Sequence, residues 1–285
     1  MFASLNPFKV GIDAPLADVI ALARRHGFAG VDFDIVEAVR LASDRGVEHV
    51  NGLFDSNGVR ASVWESPVDH RGDQAQWQAG VAALHEQAEL SIALDCQRVI
   101  SSIRPGSNEL PYDENFASHL DRFGPIAEEL ATHGIRLGLE FIGPASLRRE
   151  FRYPFIHRLD QALEFAAALG TDNVGILFDS YHWYLSGGTL ADFDRLTNDQ
   201  IVHVHLNDAV AGVAKDEQLD LVRNLPGETG MIDLAGFLSG LRRIGYDGPF
   251  AVEPFNARVD AMPADETARV VMASLRQIGA VPTLG

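Results

Sequence analysis

The chain has 285 residues, 46% of them hydrophobic and 22% charged, and carries a formal net charge of −17. No apolar run approaches the roughly 20 residues that span a bilayer, and so acidic a chain is excluded as a binder of DNA, RNA or anionic membranes, which need a basic surface. The single cysteine, Cys96, rules out an internal disulfide, and MFASLNPFKV lacks the features of a secretory leader, so a cytoplasmic protein is expected.

In chain order, a first strand is expected within ASLNPFKVGI (3–12). Asp13 and Pro15 then open a helix with an apolar stripe of Leu16, Val19, Ile20 and Ala23, stopped at Gly27 in RRHG. GVDFDI (30–35) follows as a strand, Gly58 in SNG stops the next helical stretch, and VRASVWE (59–65) and QRVISSI (97–103) continue the pattern. Phe116, Leu120, Phe123, Ala127 and Leu130 mark a helix stopped at Gly134, before IRLGLEFIG (135–143). Gly170 precedes VGILFDS (174–180), and IVHVHLN (201–207) comes next. Asp233 is a plausible N-cap for a stripe of Leu234, Phe237, Leu238 and Leu241. Gly245 then precedes PFAVEPF (249–255), and Gly279 stops the last helix. Glycine just past a helix end accepts the left-handed conformation at little steric cost. The strands are apolar without strict alternation, as in a parallel sheet covered on both faces.

About eight strands alternating with helices, with no linker between them, predict a single α/β domain over 1–285, a (β/α)₈ TIM barrel. A doubly wound open sheet is the alternative, weakened because no glycine-rich phosphate loop follows an early strand.

In a barrel, chemistry sits at the C-terminal ends of the strands. Those ends carry Glu140, Asp179 with His182, His205 with Asp208, and Glu253; earlier ends offer Asp32 or Asp34, Glu65 and His70. In IVHVHLNDA, His203 and His205 share one face of the strand and Val202, Val204 and Leu206 the other. Each polar residue has a plain alternative. Glu140 could cap a loop, Asp179 could cap the next helix, Glu253 before Pro254 could face solvent, and His182 could bond a carbonyl. Together, though, three carboxylates and a histidine on neighbouring strands need a counter-charge. Lysine and arginine are absent from these strand tips, which points to a divalent metal.

These residues carry a resemblance. GLEFIGP, FDSYH, HLNDA and LPGETG…YDGPFAVEPF resemble the xylose isomerase-like TIM barrels, the sugar phosphate isomerase/epimerase superfamily. The resemblance covers most of the chain and implies a metal held by Glu140, Asp179, His205 and Glu253, with His203 one layer deeper. It implies His182 and Arg223 as substrate-facing residues, with Arg152 a further candidate whose alternative is a solvated loop arginine. The nuclease branch of the superfamily adds an Asp-x-His. Here Asp220 is followed by Val222 where that histidine belongs, so the ketose 3-epimerase and inosose isomerase branch is the better match.

One nitrogen and three carboxylates suit Mn²⁺ or Mg²⁺, with Co²⁺ or Zn²⁺ accepted. The expected reaction is isomerisation or epimerisation of a sugar, ketose or keto-cyclitol through a metal-stabilised enediolate. By the same resemblance, Glu140 and Glu253 double as catalytic acid and base. Trp64, Phe141 and Trp183 would wall the pocket, core packing being the alternative for each. A dehydratase or lyase acting on a keto-polyol, or a non-catalytic carbohydrate-binding subunit, remain rival functions. A homo-oligomer is compatible with all of them.

Overall fold

The structure, a computed structural model, describes residues 1–282. Eight parallel strands close into a barrel in sequence order: β1 Phe2–Leu5, β2 Gly30–Asp32, β3 Arg60–Glu65, β4 Arg98–Ile103, β5 Arg136–Phe141, β6 Val174–Asp179, β7 Ile201–Leu206 and β8 Pro249–Val252. β8 pairs back with β1, Phe2 opposite Pro249, so no sheet edge is left open. Helices ring the barrel, and the main apolar core lies between them and the outer faces of the strands. A small separate cluster of Val63, Ile100 and Leu177 fills the barrel interior. The fold is the (β/α)₈ barrel expected, and none of the helices among the described residues is long and apolar enough to cross a membrane.

The helices follow the punctuation read above. Leu16–His26 ends at Gly27, whose φ of 83° lets its N–H reach back to the last carbonyls. Leu234–Arg243 buries Leu234, Phe237, Leu238 and Leu241, and the Asp233 carboxylate caps it by accepting from the Gly236 N–H.

The strands are shorter than the expected runs, and for three of them the local reason is plain. β1 stops at Leu5 because Pro7 has no N–H for the ladder. The Pro7 carbonyl instead accepts from the N–H groups of Val10 and Ile12, folding 6–12 into a turn over the barrel mouth. β2 stops at Asp32, and Asp34 caps the helix Ile35–Arg45 by accepting from the Val36 N–H. β8 ends at Val252, although the Glu253 N–H still donates to the Leu206 carbonyl and keeps Glu253 in line with β7. One small element had no forewarning in the sequence: Gly106–Ser107 pairs antiparallel with Tyr153–Pro154 above the barrel.

Candidate metal centre

Strand register places the donors. Asp179 at the end of β6 lies opposite His205 of β7, and His205 lies opposite Ala251 of β8, two residues before Glu253. Glu140, near the end of β5, completes the group. Ligand atoms of Glu140, Asp179, His205 and Glu253 all lie within 4.8 Å of one another, and all four residues are buried. His205 Nδ1 is 3.4 Å from Glu253 Oε2, 3.6 Å from Glu140 Oε1 and 3.9 Å from Asp179 Oδ2. Both His205 ring nitrogens and Glu140 Oε1 are buried without a hydrogen-bond partner.

Asp179 serves two purposes at once. Its Oδ1 accepts from the N–H groups of Tyr181 and His182, capping the short helix Ser180–Leu185. Its Oδ2 faces the cluster and accepts from the Asn207 amide at 3.0 Å. Asn207 is itself oriented by the Ser180 hydroxyl at 2.9 Å. Helix capping and a place in the cluster are therefore not rival roles for this carboxylate.

Cations do reach the cluster, contrary to what the strand tips alone suggest; they come from loops. Arg223 Nη1 donates to Glu253 Oε2 at 2.6 Å and to Asp179 Oδ2 at 3.0 Å, while Nη2 donates to Asp220 at 3.1 Å. Its guanidinium is 2% exposed and packs between the rings of Tyr181 and Phe255, 4.6 and 4.9 Å away. Lys9, on the turn after β1, sits 3.2 Å from Glu253 Oε1 and 3.7 Å from Glu65. Three carboxylates (Glu140, Asp179, Glu253) thus face two loop cations (Lys9, Arg223), and the group carries one excess negative charge unless His205 holds a proton.

That excess is visible in the electrostatics. Burial, reinforced by Glu253 nearby, pushes the Glu140 carboxyl up to about 7. Burial also raises Asp179 to about 6, against the pull of Arg223. Glu253 is just as buried, but His205, Lys9 and Arg223 together outweigh desolvation and hold it well below the usual carboxylate range. Burial opposes the charged form of His205, yet Glu253 and Glu140 prevail and raise it to about 10. Unpartnered donor atoms, an oxygen-rich set and net negative charge all fit a divalent cation, which would take the place of the imidazole proton. A cavity of about 30 Å³, large enough for water-sized guests, touches Glu140 and His205.

That cavity shares Glu65 and Ile100 with a cleft of about 200 Å³ lined also by Asn6, Phe8, Phe33 and Asp34. His182 borders the cluster. It is 1% exposed, its Nδ1 accepts from the Gly143 N–H at 3.2 Å, and its Nε2 lies 3.8 Å from Glu140 Oε1. Burial, then Arg223, drives its pKa far down, so the ring is neutral, with Nε2 facing the Arg223 Nη2 donor at 3.2 Å. His203, two residues back along the strand, has its Nε2 3.3 Å from Asp32, whose carboxylate accepts from Ser4 and Asn6.

Other sequence candidates are elsewhere. Trp183 is a core residue: it packs on Phe237 and Phe193, and its indole N–H donates to Asp192 at 3.0 Å. Trp64 is fully buried and donates to Ser91, and Phe141 is 1% exposed. None of the three lines the cleft, whose aromatic walls are Phe8 and Phe33. Arg152 is exposed, lies over the Tyr153 ring at 4.9 Å, and makes no ion pair or hydrogen bond to the cluster among the described residues. His70 packs on Phe123 at 4.5 Å. Asp208 accepts from the N–H groups of Thr229, Gly230 and Ile232, pinning the loop that carries Arg223. Lys9 and Asn207 had not been singled out at all; the only signal for Asn207 was its place beside His205 in HLND.

Comparison with known proteins is consistent with this geometry. Over 156 residues the chain is 28% identical to an inosose isomerase of Bacillus licheniformis, an alignment covering 54% of this chain and 52% of the relative. The chain thus spans about half the length of that relative. It is 25% identical to a ketose 3-epimerase of Arthrobacter globiformis over 242 residues, covering 84% and 77% of the two chains. The structure of a xylose isomerase domain protein from Alicyclobacillus acidocaldarius superposes with a TM-score of 0.87 at 31% identity, covering 98% of both chains. A family model matches residues 20–278. The chain belongs to the xylose isomerase-like TIM barrel family.

Proposed function

We propose that the protein is a divalent-metal-dependent isomerase or epimerase of a sugar, ketose or keto-cyclitol. The observation that carries this reading is the convergence of Glu140, Asp179, His205 and Glu253, with His205 Nδ1 and Glu140 Oε1 buried and unpartnered. The names of the relatives, inosose isomerase and ketose 3-epimerase, support the substrate class.

When bound, Mn²⁺, Mg²⁺, Co²⁺ or Zn²⁺ supplies Lewis acidity for negative charge developing on adjacent substrate oxygens. The protein's own residues do the rest. Glu253 and Glu140 stand on strands eight and five and bracket whatever lies over the cluster, so a carbon between them meets one carboxylate on each face. Glu253, kept ionised by Lys9 and Arg223, takes the proton from the carbon next to the carbonyl. Glu140, on the opposite side of the barrel mouth, returns a proton from the other face. The neutral His182 ring, held in place by the Gly143 N–H and facing Arg223 Nη2, orients a substrate hydroxyl. The cleft between Phe8 and Phe33 receives the remainder of the substrate.

The test is deuterium exchange. Protein loaded with Mn²⁺ is incubated in D₂O with a panel of ketoses and inososes, and the products are analysed by NMR. Deuterium at the carbon beside the carbonyl, with an epimer or shifted ketose as product, is the expected result. Loss of water would replace this reading with a dehydratase, and no exchange with any tested metal would replace it with a binding role.

A further inference from the structure

A second group of side chains of metal-ligating type sits on helices at the outer face of the barrel. His85 belongs to the helix Gln74–Ala93, Glu129 to the helix Tyr112–Thr132, and His133 follows the latter directly. Glu129 and His133 are four residues apart and therefore share one face. His85 Nδ1 is 2.8 Å from Glu129 Oε1, His133 Nε2 is 3.2 Å from the same oxygen, and the two nitrogens are 3.3 Å apart.

We propose that His85, Glu129 and His133 form a surface site for a borderline transition-metal cation of the Zn²⁺ class, independent of the barrel centre. The spacing is the first argument. A tetrahedral ion with bonds of about 2.0–2.1 Å holds its donors about 3.3 Å apart, matching two of the three separations; the third, 2.8 Å, would open by about half an ångström. The second argument is orientation. His85 presents Nδ1 to the group while its Nε2 lies 3.5 Å from Glu89 Oε1. Metal-bound histidines characteristically give their other N–H to such a carboxylate. The third is donor chemistry: two imidazoles and one carboxylate suit Zn²⁺, Ni²⁺ or Cu²⁺, whereas Mg²⁺ and Mn²⁺ prefer oxygen-richer sites such as the barrel cluster. His85 is 62% exposed, which leaves room for water as a fourth ligand. An ion here would fasten the two helices to each other from outside.

The experiment compares the chelator-treated full chain with its His85→Ala variant. An exposed histidine is removed, so the variant keeps its fold, and circular dichroism verifies this. Equilibrium dialysis against Zn²⁺ is expected to show one ion fewer per chain in His85→Ala. The thermal midpoint of the wild-type chain should also rise more on adding Zn²⁺ than that of the variant. Equal ion counts and equal shifts in the two proteins would overturn the proposal, whatever the barrel site binds.

Discussion

Arg223 donates to Glu253 at 2.6 Å, so a carboxylate at the end of strand eight is neutralised by a side chain from the loop after strand seven. The same guanidinium nitrogen reaches Asp179. Removing one partner from a buried ion pair typically destabilises by about 3–5 kcal/mol, because the other charge is left unpaired. Arg223→Met should therefore lower the unfolding free energy of the metal-free protein by about that much. Urea denaturation in chelator measures it, and a loss under about 0.5 kcal/mol would mean that Arg223 does not neutralise the cluster.

Glu253→Gln should retain the fold and most of the metal affinity, since an amide oxygen still coordinates. Turnover should drop by about 10²–10⁴-fold, the usual share of an acid or base. Glu140→Gln should behave similarly, whereas His182→Ala should chiefly weaken substrate binding. Metal content and steady-state kinetics of the three variants check this. Near-wild-type turnover by a fully loaded Glu253→Gln protein would refute the acid/base assignment and leave the metal assignment intact.

Chelation should abolish turnover, and Mn²⁺ or Mg²⁺ should restore it. At a free metal concentration a hundredfold above Kd, the ion should also stabilise the fold by about 2.7 kcal/mol. The measurement belongs in the His85→Ala background, where surface binding does not contribute. Unchanged activity after exhaustive chelation, with metal content verified as zero, would sink the metal-dependent reading.

His70 offers a pH prediction away from the centre. Burial beside Phe123, with His119 nearby, pushes it down to about 4. Below its unfolded value of about 6.5, the unfolded chain binds a proton that the folded chain refuses, so this group lowers stability as pH falls from about 6.5 to about 4. The span of about 2.5 units corresponds to on the order of 3 kcal/mol. His70→Phe should flatten the dependence of the unfolding free energy on pH in that window, with a residual slope from His119, which burial shifts the same way. An identical slope in the variant would exclude His70 as its source.

How far the fold could be read depended on where each cause sits along the chain. β3, β5 and β6 are apolar runs that follow glycine stops at Gly58, Gly134 and Gly170, and local pattern suffices for them. Glu140, Asp179 and His205 were legible because a barrel gathers its strand ends, so three unrelated stretches had to meet. Lys9 was not, because its position depends on a turn organised by the Pro7 carbonyl. The ion pairs of Arg223 depend on Asp208 holding backbone more than twenty residues downstream. Trp183 and Trp64 look the same in sequence whether they line a pocket or a core. What decides is whether a buried partner such as Asp192 or Ser91 waits for the indole N–H.

The division of labour between strands and loops limits how this barrel can be re-engineered. Substrate preference in such folds is commonly altered by exchanging the loops that follow the strands. Here the segment after strand seven also carries the guanidinium that balances Asp179 and Glu253. A graft that omits an arginine at that point would change the loop over the barrel mouth and, in the same step, the charge balance of the buried carboxylates. Loop identity and the neutralisation of the buried cluster are inherited together on one stretch of chain.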